Sequence, residues 1–455
     1  MPGPQPPGRR RGPGHPPIEE KLLLSARWVV PVEPAGAVLE HHAVAVRDGV
    51  IEQVLPAKEA ARFGHYEQVS LPEHVLIPGL VNAHTHAAMA LMRGLGDDLP
   101  LLRWLEERMW PAERHHVSAQ MVRDGTSLAC AEMLRGGVTC FNDMYFFPEA
   151  ALQAALEAPM RVAVGLIVVD FATPYASDPD DYLRKGLALR DASREQPLAS
   201  FCFAPHAPYT VADDTLRHLA TLAAELDLPV HVHLHETEAE IERSLAEHGV
   251  RPLERLHRLG LLGPGLIAVH AIHLEPHEIE LLARHGCSVV HCPSSNLKLA
   301  SGFAPVHSML KNGINVALGT DGAASNNRLD VLTEMRTAAL LAKAVARDAQ
   351  ALPAHTALRA ATLGGARALG LGTRIGSIEP GKRADLAALA LRGPALSPCY
   401  DPVSHLVYAA GREHVTHVWV DGKLVVRGGA LENPAPGLDT RWRIWQNAFK
   451  SPLGS

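Results

Sequence analysis

The sequence predicts an α/β protein: a closed (β/α)8 (TIM) barrel with a small β-sandwich domain assembled from both chain ends. Three observations carry this expectation. Short apolar segments alternate with long amphipathic ones through the middle of the chain, the texture of successive βα units. β-prone segments joined by Asp-Gly turns flank that middle on both sides. Histidines and an aspartate gather at the C-terminal ends of several apolar segments, the face on which barrels of this kind carry their chemistry.

In chain order, residues 1–17 are rich in Pro and Gly and read as a disordered leader. Arg9, Arg10 and Arg11 are followed by Pro, Gly and the charged Glu19-Glu20-Lys21, so no export signal is expected. Residues 18–77 read as the N-terminal half of the small domain, with strands at 22–30, 43–47 and 50–55 and a turn at Arg47-Asp48-Gly49. The barrel is expected over 78–372. Its eight strands would be 76–84, 138–143, 161–169, 199–205, 230–235, 266–271, 288–291 and 315–319. Helical periodicity appears between them, as at 213–226 and 276–283, and no Gly-x-Gly-x-x-Gly turn argues for an open doubly wound sheet. Residues 373–435 return to short strands (385–391, 415–420, 423–426), with Asp421-Gly422 echoing the earlier turn, and 436–455 read as a C-terminal tail.

Composition excludes several classes. A chain of 455 residues with 47% apolar content can bury a large core. Its 43 basic and 49 acidic residues give a net charge of -6 without a long basic run, so nucleic acid is not an expected partner. No stretch of 18 uncharged apolar residues offers a membrane span. The cysteines Cys130, Cys140, Cys202, Cys287, Cys292 and Cys399 are scattered without a Cys-x-x-Cys pair and read as reduced thiols of a cytoplasmic protein.

The chemistry starts at His84 and His86. Residues i and i+2 of a strand share a face, so both imidazoles can aim at one point. Among 26 histidines such pairs also arise by accident, and His231, His233 and His235 supply two more. Position is the stronger argument. Other strand ends deliver His233-Leu234-His235-Glu236, His270-Ala271-Ile272-His273 and Thr320-Asp321-Gly322 to the same rim. Three imidazoles and a carboxylate suit Zn2+ or a similar divalent ion with a position left for water. Spacing does not say which of His231, His233 and His235 is the ligand. Glu236, just past its strand, can carry a proton, although a glutamate there also suits a helix N-terminus.

The ensemble of Pro78-Gly79-Leu80-Val81-Asn82-Ala83-His84-Thr85-His86, His233-Leu234-His235-Glu236-Thr237, His270-Ala271-Ile272-His273-Leu274 and the run from Leu318 to Asn327 resembles the amidohydrolase superfamily. Within it, the resemblance is to the branch of 5-methylthioadenosine/S-adenosylhomocysteine deaminases and related triazine hydrolases. It covers about 20–430, including Gly381-Lys382-Arg383-Ala384-Asp385-Leu386, where such chains re-enter the small domain. The resemblance implies one divalent metal per subunit, Zn2+ first and Fe2+, Mn2+ or Ni2+ as alternatives, held by His84, His86, His233 and Asp321. It implies that Glu236 shuttles a proton to the purine ring, that His270 hydrogen-bonds the attacking water and that Asp321 accepts its proton. Trp104, Glu113, His206, Glu236 and Ser325 are the implied substrate contacts, with Glu113 on the ribose hydroxyls.

The expected reaction is hydrolytic deamination of an adenine nucleoside, 5'-methylthioadenosine or adenosine, to the inosine-type product and ammonia. S-adenosylhomocysteine is less favoured: the resemblance implies that members accepting it can hold its carboxylate with arginines in the loop after the third strand, and the stretch from Val168 to Tyr175 has none. The alternatives are deamination of a free base such as guanine, hydrolysis of a triazine or chlorinated heterocycle, and a silent scaffold on the same barrel. The expected partners are a small nucleoside and further copies of the chain in a homo-oligomer, with no membrane.

Overall fold

The computed structural model describes residues 20–450, so the leader expected at 1–17 lies outside the described residues. The first four strands are β1 (Lys21–Val29), β2 (Leu39–Arg47), β3 (Val50–Pro56) and β4 (Glu67–Pro78). Eight more follow: β5 (Leu80–Thr85), β6 (Val138–Asp143), β7 (Arg161–Val168), β8 (Ala199–Pro205), β9 (Val230–Leu234), β10 (Leu266–His270), β11 (Ser288–His291) and β12 (Asn315–Leu318). The last four are β13 (Leu386–Ala390), β14 (Val415–Val420), β15 (Lys423–Arg427) and β16 (Ala430–Leu431).

The small domain is one mixed sheet in the order β16-β15-β14-β13-β4-β1-β2-β3, so both chain ends meet where β4 pairs antiparallel with β13. Period-2 alternation sets its faces. Leu24, Val44 and Val46 share a core with Leu386 and Trp419 from the other chain end, the apolar layer of the expected sandwich, while Leu23, Ala43, Ala45 and Leu55 pack on the opposite face. The two Asp-Gly turns have left-handed backbone at both residues, φ 49° and 75° at Asp48 and Gly49 and 54° and 80° at Asp421 and Gly422, as tight hairpins require. They also touch. A Cβ on Gly49 would stand 2.3 Å from the Asp421 carbonyl oxygen, so glycine is needed for contact as well as for conformation.

The expected strand at 76–84 is two strands. Residues 76–78 finish β4 in the small domain, and β5 begins the barrel at Leu80. Gly79 makes the break: its N–H donates to the Asp385 carbonyl at 2.8 Å, and a Cβ there would lie 2.1 Å from Thr139 Oγ1. Asp385 in turn accepts two hydrogen bonds from Arg161, at 2.8 and 3.0 Å, which accounts for the aspartate in the re-entry motif.

β5 to β12 form a parallel eight-stranded sheet in sequence order. Across the seam between β12 and β5, Asp321 N–H donates to the His84 carbonyl at 3.0 Å and Asn82 exchanges two hydrogen bonds with Thr320, at 2.7 and 2.9 Å. The helix at Asp213–Leu226 falls where periodicity placed it, with Leu216 and Leu219 buried.

The expected C-terminal tail contains a helix, Leu438–Lys450. Trp445 and Phe449, four residues apart on one face, pack on the cluster that includes Trp104 and Met109, and Trp445 Nε1 donates to Asp124 at 3.0 Å. Among the described residues no helix is long and apolar enough to cross a membrane. The six cysteines are free thiols.

Candidate active site

His84 lies in β5 and His86 one residue past it; His233 lies in β9 and Asp321 three residues past β12. Their donor atoms all fall within 4.8 Å of one another. His84 Nε2 is 3.2 Å from His233 Nε2 and 3.3 Å from Asp321 Oδ1, and His86 Nε2 is 3.2 Å from the same oxygen. Tetrahedral ligands about 2.0–2.1 Å from a zinc ion stand roughly 3.3 Å apart, which these three separations match, so the donor set suits a divalent metal.

Each imidazole is oriented from behind. His86 Nδ1 donates to the Met144 carbonyl and His233 Nδ1 to the His206 carbonyl, both at 2.6 Å, while His84 Nδ1 meets His231 Nε2 at 3.0 Å. A carbonyl can only accept, so His86 and His233 keep their Nε2 lone pairs for the shared centre. Burial, with its histidine neighbours, holds His233 well below the ordinary imidazole range, in the neutral form that ligates. Burial would push the Asp321 carboxyl up, but the His84 and His86 imidazoles against its Oδ1 hold it well below the carboxylate range. Its Oδ2 also accepts from Ser295 at 2.6 Å and from Ser325 at 2.9 Å.

Geometry separates the three histidines that spacing left equivalent. His233 joins the cluster and His231 stands behind His84. His235 lies past the end of β9 in left-handed backbone, φ 54°, with Nε2 accepting from Leu253 N–H at 3.0 Å.

Glu236 and His270 complete the rim. The Glu236 carboxylate is 3.8 Å from His270 Nε2, and burial raises its pKa against the opposing influence of His270. Both Glu240 oxygens hold the backbone beside it, accepting from His235 N–H at 3.0 Å and Glu236 N–H at 2.8 Å. His270 Nδ1 is 2.8 Å from Asn296 Oδ1.

A cavity of about 550 Å3 opens over this centre, touching His86, His233, Glu236, His270 and Asp321. Trp104, Glu113, His206 and Ser325 all line it. Trp104 and Glu113 come from a helical segment interrupted by a π turn at Leu105–Met109, a distortion frequent at functional sites. Trp104 Nε1 is buried with no hydrogen-bond partner among the described residues. Glu113 accepts from Tyr145 Oη at 2.8 Å, and burial pushes its pKa up to about 7 although that bond opposes the shift. His206 Nδ1 is 3.1 Å from Thr210 Oγ1. The Ser325 hydroxyl is engaged with Asp321 and the Gly322 carbonyl, so it braces the aspartate.

Sequence reasoning missed Ser295 and Asn296, although they follow β11, whose rim end had been given no role. It also missed Tyr145, two residues past β6, and Arg114, which lines the cavity.

Comparisons with known proteins agree with this architecture. Residues 75–425 match the model of the amidohydrolase family. The chain is 50% identical over 421 residues to a 5-methylthioadenosine/S-adenosylhomocysteine deaminase of Saccharophagus degradans, covering 92% of this chain and 94% of that one. It is 48% identical over 409 residues to the protein of that name from Teredinibacter turnerae, covering 90% and 92%. Among solved structures, an adenosine deaminase from Xanthomonas campestris with bound zinc superposes with a TM-score of 0.92 at 50% identity, covering 94% of this chain and 98% of that one. Atrazine chlorohydrolase from Arthrobacter aurescens shares the fold, with a TM-score of 0.87 at 22% identity over 94% and 99%. With a matching family model over most of its length, half-identical relatives and a four-donor centre at the rim of its barrel, the chain belongs to the amidohydrolase family.

Proposed function

We propose that this enzyme deaminates adenine nucleosides hydrolytically, with 5'-methylthioadenosine or adenosine as substrate, and that His84, His86, His233 and Asp321 hold one zinc ion. The observation that carries the reading is a donor set spaced for zinc on the floor of a cavity whose walls carry Glu236 beside the floor and Glu113 on the helical segment. The names of the half-identical relatives support the substrate class.

A divalent ion at that centre makes hydroxide available from water near neutral pH. The side chains supply the rest. Asp321 accepts the proton of the attacking water, and His270, with Nδ1 on Asn296, presents Nε2 to that water. Glu236, kept protonated to higher pH by burial, delivers a proton to the purine ring nitrogen as C6 becomes tetrahedral, before ammonia leaves. Glu113 accepts the ribose hydroxyls, and Trp104 walls the cavity on the same helical segment.

Arg114 gives a specific reason to keep S-adenosylhomocysteine within the range. The loop after β7 lacks arginine, as the sequence showed, but Arg114 lines the same cavity as Phe171 and Thr173 of that loop. Its guanidinium could pair with an amino-acid carboxylate at the mouth.

The test is ammonia release by purified protein from adenosine, 5'-methylthioadenosine, S-adenosylhomocysteine, guanine and a triazine, with metal measured on the same sample. Preference for the nucleosides is expected; turnover of guanine or the triazine alone would overturn the assignment. A homo-oligomer in the cytoplasm belongs to the same reading. The free thiols fit a reducing compartment.

A further inference from the structure

We propose that His231 is a positioning residue for His84: its Nε2 lone pair fixes the His84 tautomer and thereby governs how tightly the metal is held. The inference rests on the zinc reading above.

His84 and His231 belong to β5 and β9, four strands apart in the eight-strand order, so they face one another across the barrel. Both are fully buried, with ring centroids 4.9 Å apart and His84 Nδ1 3.0 Å from His231 Nε2. The opposite edge of His84 is committed, because Nε2 faces His233 Nε2 and Asp321 Oδ1.

Proton bookkeeping then leaves one arrangement. A neutral imidazole carries one N–H, and a ligating nitrogen must be bare. With Nε2 bare, the His84 proton sits on Nδ1 and is donated, so His231 Nε2 must accept. His231 therefore carries its own proton on Nδ1, an atom that is buried with no partner among the described residues. An orphaned buried N–H is unfavourable, so the residue at this position is not optimised for its own hydrogen bonding. What it supplies is an acceptor for His84.

The other two ligand histidines make the contrast. They donate to backbone carbonyls, which have no alternative role. His84 instead depends on a group that could present either a lone pair or an N–H. In the wrong tautomer His231 would donate to His84 Nδ1 and push the His84 proton onto Nε2, blocking the metal.

The rival explanation is a strut across the barrel that matters only for folding. Zinc-loaded wild type, His231→Gln and His231→Leu are compared for the rate of zinc loss to a chelator, and the metal-free forms for Tm. Zinc loss from His231→Leu should be about 10–100-fold faster, the usual effect of removing such a partner. His231→Gln, whose amide oxygen accepts, should stay near wild type. Wild-type retention in His231→Leu, or equal loss in both variants, would overturn the proposal; so would a lowered metal-free Tm with unchanged zinc loss, which is the strut result. Should His231→Leu fail to fold, two-bond 1H–15N spectra of zinc-loaded wild type with 15N-labelled histidine decide the matter. A proton on His231 Nδ1 is expected, and one on Nε2 overturns it. Wild type that takes up no zinc would overturn the metal reading itself.

Discussion

The floor and the wall of the cavity are built on opposite principles. On the floor, His86, His233 and Asp321 are each held by hydrogen bonds from behind, and Ser295 and Ser325 brace the aspartate. These groups stand in or just past the ends of barrel strands, which hold a site more precisely than free loops do. The wall is helical, interrupted by a π turn, and it leaves the Trp104 indole N–H without a partner among the described residues and Glu113 pushed up to about 7 by burial. A floor whose ligands are braced in advance suits a resident ion; a wall that buries an indole and a carboxyl beside an open cavity suits a ligand that comes and goes.

Breaking the floor should have the largest consequence. Asp321→Ala is expected to lose both metal and turnover, and full metal occupancy in the purified variant would refute its role as a ligand. Next comes Glu236→Gln, which should keep its metal while kcat falls about 10²- to 10⁴-fold, the usual contribution of an acid-base group. Near-wild-type ammonia release from that variant would remove Glu236 from the mechanism.

The wall should give smaller effects confined to binding. Glu113 accepts hydroxyls best when ionised, so KM for nucleosides should rise as pH falls through about 7, where its carboxyl takes up a proton. Glu113→Gln should raise KM and flatten that dependence, whereas a KM profile identical to wild type would separate Glu113 from the ribose. The smallest and most selective change is expected from Arg114→Ala. Losing an exposed charged contact should lower kcat/KM for S-adenosylhomocysteine by about tenfold, roughly 1.4 kcal/mol, and leave 5'-methylthioadenosine unchanged. Equal losses on both substrates would make Arg114 a general packing residue.

The same contrast explains what was legible in the sequence. Floor residues announce themselves because strand periodicity and the rim rule act locally: His84, His86, Glu236 and Asp321 could be read from segments of a few residues. The choice of His233 over His231 and His235 could not, because it depends on depth within the barrel and on where β9 stops. Ser295 and Asn296 were hidden for a different reason: serine and asparagine are ordinary loop residues until a partner from another strand end is in place. Pro78-Gly79 could be read as the passage into the barrel, but the strand break there depends on Thr139, 60 positions away, and the C-terminal helix is anchored through Asp124, so neither of these had a local signature strong enough to be read.

The pairing of β4 with β13 has a consequence for synthesis. β4 ends at Pro78 and its second partner, after β1, begins at Leu386, so the ribosome must add some 300 residues before the outer edge of the long strand is covered. At about 5–20 residues per second that interval is roughly 15–60 s. Throughout it, the apolar run Val75-Leu76-Ile77 presents an open sheet edge, the kind of surface on which nascent chains associate. The newborn enzyme is therefore exposed to aggregation at its small domain even after the barrel has closed.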